Sequence, residues 1–217
     1  MKKILVIIII LNCIPNFGQT ERGDSIQKVL FLRANIELSN SEVEVDYPEI
    51  EKSHIERAYT NYYFCYKKNK NSKIGQIALK KADSLKVIII TNLLNNMQGV
   101  WKRKINGNSN GINSTYSENN SYEILIISNN KIEFYNENIK SKKRTLVKSE
   151  NIKVLKDINY RGPTISELIY SDNHIWSISF NKSKKYIYFI NTGKMLKNGD
   201  VLDIACGNTE TMYEKLK

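Results

Sequence analysis

The sequence holds little alanine, proline, glycine, cysteine or histidine, and each shortage excludes something. Three Pro and ten Gly in 217 residues exclude collagen-like and Pro/Gly low-complexity chains. Three Cys without a Cys-x-x-Cys, together with only His54 and His174, leave too few ligands for a closed zinc site. There is no Gly-x-Ser-x-Gly, no His-Glu-x-x-His and no Gly-Lys-Ser/Thr. No catalytic residue, metal ligand or cofactor is therefore assigned, and a non-enzymatic protein is expected. His54 follows Glu51 by three residues, which predicts a local surface pair on a helix. His174 alternates with Trp176 and Phe180, which predicts a satisfied histidine within a sheet. Beyond the extreme N-terminus no long apolar run occurs. Val87–Ile90 is the longest obvious one, far below the ~20 residues that span a bilayer.

What the chain does hold is basic and biased. Lys and Arg total 33 against 22 Asp and Glu, a formal charge of +11. Of the 217 residues 27 are Lys, 31 Ile and 27 Asn, while Ala occurs five times. Those three abundant types have AT-rich codons, so part of the charge reflects codon usage rather than an anionic partner. The basic clusters Lys67–Lys73, Lys140–Arg144 and Lys182–Lys185 also contain Asn or Ser and lie between periodic segments, as solvated turns do. A hydrophobic content of 41% is enough for a true core.

Residues 1–18 have the layout of a secretory signal peptide. Lys2 and Lys3 precede the eight-residue apolar run Ile4–Leu11, and a small, polar exit follows in Asn12–Gln19. Cleavage after Gly18 is expected, with lipidation at Cys13 as the rival, although Asn12 is a poor neighbour for that. Loss of residues 1–18 removes two Lys and no acid, leaving +9. Export to a periplasm or beyond makes nucleic acid an unexpected partner and changes the cysteine reading. Cys65 and Cys206 then either form one disulfide, closing a loop of about 140 residues, or remain two buried thiols.

The mature chain has two textures. Residues 19–96 follow a helical period. Asp24 and Gln27 resemble a capping box, and Ile55, Ala58, Tyr59, Tyr62 and Tyr66 recur at three and four. A second stripe runs Ile74, Ile77, Ala78, Leu85, Ile88, Ile89, Leu93 and Met97, with β-branched Val87–Thr91 open to a strand alternative. Tyr59, Tyr62, Tyr63 and Tyr66 form either a docking face against the strand-rich half or a binding platform. From residue 97 to 217, eight to ten short strands are separated by Asn129-Asn130, Asp172-Asn173 and Asn198-Gly199, residue types that tolerate positive φ in hairpins. The fold class expected is α+β: an antiparallel meander, barrel or sandwich preceded by a helical portion.

Gly99-Val100-Trp101 opens the first of these strands directly after a helical segment. Here the chain resembles the lipocalin-like (calycin) superfamily, whose first strand carries Gly-x-Trp after a short helical entry. The whole layout is similar to small exported lipocalin-like proteins of flavobacteria. The resemblance covers residues 95–217 and implies a closed barrel with Gly99 at a tight entry and Trp101 as a structural plug. A lipocalin's later Thr-Asp pair has no counterpart. Interior candidates are Trp101, Phe134, Trp176, Phe180, Tyr188 and Phe189, register permitting. Of these, Phe134, Trp176, Phe180 and Tyr188 are the expected ligand contacts. An envelope binding protein for a hydrophobic small molecule or lipid follows, or else an envelope protein-interaction module with a filled barrel.

Overall fold

A computed structural model describes residues 24–41, 53–108, 111–113, 121–155, 165–204 and 208–216. The signal segment, Pro48, Glu51 and Cys206 lie outside the described residues. The chain divides into two compact units between Ile89 and Ile90, inside a helix.

Among the described residues the first unit holds three helices: α1 (24–40), α2 (His54–Lys68) and α3 (Lys73–Met97), the last continuing into the second unit. Ser53 caps α2 through a capping box with Glu56, so that helix is started by its own sequence. The box expected at Asp24 and Gln27 does not form. Gln27 is instead buried at 1% exposure, and its amide donates to the carbonyls of Cys65 and Asn69 at 2.9 and 3.0 Å. Tyr59, Tyr62 and Tyr63 are buried, with Tyr62 edge-on to Phe31 and its hydroxyl 2.6 Å from Asn35 Oδ1. Being buried, these three rings offer no open platform. Residues 87–91 are helical, so the strand alternative fails: the period of three and four continues through Leu85, Ile89 and Leu93. The basic run Lys67–Lys73 spans the end of α2, the turn after it and the first residue of α3. His54 pairs with Glu37 of α1 at 2.7 Å, and Arg57 reaches the same carboxylate at 3.0 Å.

Cys65 is a free, fully buried thiol, donating to the Gln27 carbonyl at 3.4 Å. The expected bridge to Cys206 is thus not formed at Cys65. Burial pushes this thiol's pKa up, which suits a packed side chain better than a reactive one.

The second unit is a ten-stranded antiparallel sheet, confirming the α+β class. Its strands are β1 (Gly99–Asn108), β2 (Gly111–Asn113), β3 (Ser121–Ser128), β4 (Lys131–Asn138), β5 (Arg144–Asn151), β6 (Glu167–Ile169), β7 (His174–Phe180), β8 (Tyr186–Met195), β9 (Val201–Asp203) and β10 (Thr209–Lys215). The order is β5-β4-β3-β1-β10-β8-β7-β6, with β2 on β1 and β9 on β8. First and last strands are therefore neighbours. No ladder joins β5 to β6 among the described residues. The segment after β5 makes one bridge, Val154 to Leu168, flanked by Leu155 N–H to Glu167 O at 2.8 Å and Ile169 N–H to Lys153 O at 2.9 Å.

Turn chemistry placed the hairpins. Asn129, Asn130, Asn173 and Gly199 all have positive φ, between 50° and 86°. The basic tips Lys142 and Lys184 share that conformation. Gly99, at φ 131°, makes the sharp entry from α3 into β1. Its neighbour Trp101 is completely buried, donates its indole N–H to the Met97 carbonyl at 2.8 Å and lies under the Lys215 ammonium at 5.1 Å. Around it the core gathers Leu93, Met97, Leu125, Ile127, Ile132, Leu168, Ile178 and Ile187. Among the described residues no helix is long and apolar enough to cross a membrane.

Candidate functional site

Strand alternation brings one residue in two from each strand onto the core side. On β3 these are Glu123, Leu125 and Ile127. Register sets Leu125 beside Trp101 of β1 and Phe134 of β4, while Arg103 of β1 faces Tyr213 of β10. On β8, Phe189 lies opposite Thr211 of β10. Together these strands wall a cavity of about 50 Å³ lined by Leu125, Phe134, Tyr170, Trp176, Phe189, Thr211 and Tyr213. Five of the seven are aromatic. Tyr170 is edge-on to Phe134, with centroids 6.2 Å apart, and stacked on Trp176 at 5.7 Å. Phe189 meets Tyr213 edge-on at 5.7 Å.

Two ion pairs border the rings. Glu123 accepts from Arg103 Nη1 at 2.9 Å through one oxygen and from the Tyr213 hydroxyl through the other. One carboxylate thus links β1, β3 and β10. Lys148 Nζ stands 5.1 Å from the Tyr170 centroid and 5.9 Å from that of Phe134, and 2.7 Å from Glu150. Glu150 is almost wholly buried, and it also receives the Ser171 N–H and hydroxyl, each at 2.9 Å. Burial alone would raise its pKa. Hydrogen bonds from Lys148 and Ser171 outweigh that and hold it below the ordinary range. Tyr170 is driven the other way, far above its usual range, by burial and then by the charges of Glu150, Asp172 and Glu123. Tyr213 is raised likewise, by burial and by Glu123. Both phenols are neutral at physiological pH.

One polar atom in this wall is unsatisfied. The indole Nε1 of Trp176 is buried and has no hydrogen-bond partner among the described residues. A buried donor left unpaired costs about 1–3 kcal/mol, so such atoms are scarce and ask for an explanation.

Of the four expected ligand contacts, Phe134 and Trp176 line the cavity. Phe180 packs instead against Trp101, centroids 6.2 Å apart, within the core. Tyr188 stands between buried Ile187 and Phe189 on β8 and is not among the lining residues. Consecutive strand residues point to opposite faces, so Tyr188 and Phe189 could never share the interior. Leu125, Tyr170, Thr211 and Tyr213 were not among those contacts. Leu125, Thr211 and Tyr213 carry an alternation signal, whereas Tyr170 sits beyond a three-residue strand where no period can be read.

His174 Nδ1 accepts from the Asn191 amide at 3.0 Å, whose oxygen takes the Gly193 N–H at 3.2 Å, so a neutral amide orients the imidazole. Among the described residues no cluster of three His, Cys, Asp or Glu could hold a metal. Compared with protein-family models, with curated proteins and with solved structures, the chain matches none.

Proposed function

We propose that this protein is an exported, non-enzymatic binding protein whose sheet curls into a lipocalin-like cup that takes one end of a small, largely apolar molecule. The observation that carries the reading is the aromatic cavity between β3, β4, β7, β8 and β10. Its 50 Å³ is a third of the ~150 Å³ that admits benzene, and far below the ~300–1,000 Å³ of sites that engulf a drug-sized ligand. A whole lipid does not fit inside; a terminal group does, with the rest of the molecule lying outward. The barrel reading is supported by the single bridge from Val154, just after β5, to Leu168 of β6, which links the chain beyond one outer strand to the other. Export rests on the N-terminal charge and apolar run of the sequence.

Native mass spectrometry and organic extraction of the purified protein test this, with 2-hexanone as an added soluble probe. A bound small molecule is expected. Leu125→Trp, which fills the cavity, should exclude it while leaving the far-UV circular dichroism unchanged. An empty protein that also ignores the probe would remove the reading.

A second reading has its own observation. On β5, consecutive Leu146 and Val147 are 51% and 60% exposed, and the only ladder of that strand among the described residues is with β4. An outer strand of this kind suits β-augmentation by an envelope protein. Val147→Asp would then abolish partner capture and spare 2-hexanone binding.

A further inference from the structure

The unsatisfied Trp176 donor narrows what the cup can hold. Resting on the binding reading above, we infer that the inserted end of the ligand is a neutral hydrogen-bond acceptor, a ketone, ester or similar carbonyl, whose oxygen accepts from Trp176 Nε1.

Three observations converge on this class. First, the buried indole N–H lacks a partner in a wall whose other members are Leu125, Phe134, Phe189, Thr211 and the rings of Tyr170 and Tyr213. An indole nitrogen donates only, so it selects an acceptor. Second, the volume is that of about three to five water molecules. That suits an acetyl-sized group of three heavy atoms. Third, the charge around the site disfavours an anion. Glu150, Asp172 and Glu123 all act on Tyr170, whereas the two cations, Arg103 and Lys148, are already held by Glu123 and Glu150 at 2.9 and 2.7 Å. A carboxylate would enter a site with more negative than positive neighbours and no cation to spare from those two pairs. A cation could lie against the rings but could not accept from the indole.

The test uses three probes with the same four-carbon tail: 2-hexanone, its methylene isostere 2-methyl-1-hexene, and pentanoate. Binding to the full chain is followed by the indole ¹⁵N–¹H resonances, of which the two tryptophans give two. Trp176→Phe identifies the relevant one. The ketone should bind about tenfold more tightly than the alkene, the factor expected for one net hydrogen bond, and should move the Trp176 indole proton downfield. Pentanoate should bind more weakly than the ketone. In Trp176→Phe the preference for ketone over alkene should fall to about one. Equal binding of ketone and alkene to the wild type would overturn the inference and leave the binding function standing. Tightest binding by pentanoate would overturn it in favour of an anion site. Failure of all three to bind would overturn the inference and the binding function together, leaving the cavity to water.

Discussion

Gln27 gives the sharpest test of how the helical unit is held. Its carboxamide leaves α1 and satisfies the end of α2: Nε2 donates to the carbonyls of Cys65 and Asn69, and Oε1 accepts from the Ser72 hydroxyl at 2.8 Å. The last carbonyls of a helix have no partner of their own, so a side chain from a neighbouring helix acts as their cap. Gln27→Leu keeps volume and removes all three bonds. At about 1 kcal/mol each, it should cost about 3 kcal/mol, read as a lowered urea midpoint at 222 nm. Gln27→Glu should be worse at pH 7, because an ionised carboxylate cannot donate and would face two carbonyl oxygens. Its folded-state pKa would rise above the ordinary value of about 4.3. The fold then prefers the protonated form, so the deficit relative to wild type is smallest below that value and grows as pH rises through the folded pKa. A Gln27→Leu variant within about 0.5 kcal/mol of wild type, or a Gln27→Glu deficit that ignores pH, would refute this account.

Two further outcomes follow from the sheet. Gly99→Ala puts a Cβ at φ 131°, 3.0 Å from Lys215 Cε. Backbone strain of that kind costs about 1–3 kcal/mol, to be seen as a lower unfolding midpoint in tryptophan fluorescence. Glu150→Gln removes charge-assisted bonds from Lys148 and Ser171 and should destabilise by about 1–3 kcal/mol at pH 7. Because the Glu150 pKa is lowered in the fold, its stabilisation is present above the ordinary value of 4.5 and fades as pH falls below it. The gap between wild type and variant should close over that acidic range, and a constant gap would contradict the pairing.

The parts legible in the sequence are those whose cause is local. Asn129-Asn130 and Asn173 mark turns because positive φ is a property of a residue and its neighbours, and the helix stripe through Leu85, Ile89 and Leu93 is a period within one segment. Gln27 was misread because capping and burial draw on the same amide, and its true partners lie 38 and 42 residues away. His54 pairs with Glu37 of α1, 17 residues away, which no helical spacing reveals, while its expected neighbour Glu51 lies outside the described residues. Cys65 shows the same limit. Two thiols suggest a bridge if the chain is exported, but packing buries this one beside the Gln27 carbonyl. Among the candidate ligand contacts, Phe134 and Trp176 line the cavity, whereas Phe180 packs against Trp101 and Tyr188 is not a lining residue. Parity then separated Phe189 from Tyr188, and that requires knowing which residue faces in.

The two tryptophans make this limit concrete and supply an internal comparison. Trp101 and Trp176 each lie in a β-like run and are each expected inside, Trp101 as a structural plug and Trp176 as a ligand contact. In the fold, the Trp101 ring is fully buried, its N–H is accepted by Met97 and its neighbours are core side chains. Every part of it is accounted for by structure, as a plug needs to be. Trp176 is held just as firmly by stacking on Tyr170, yet its N–H is left without an acceptor beside a cavity. A core that can satisfy one indole could satisfy a second, since a single carbonyl suffices. The unsatisfied donor is therefore what separates a packing residue from a candidate contact, and it is the reason the proposed ligand is asked to bring an acceptor.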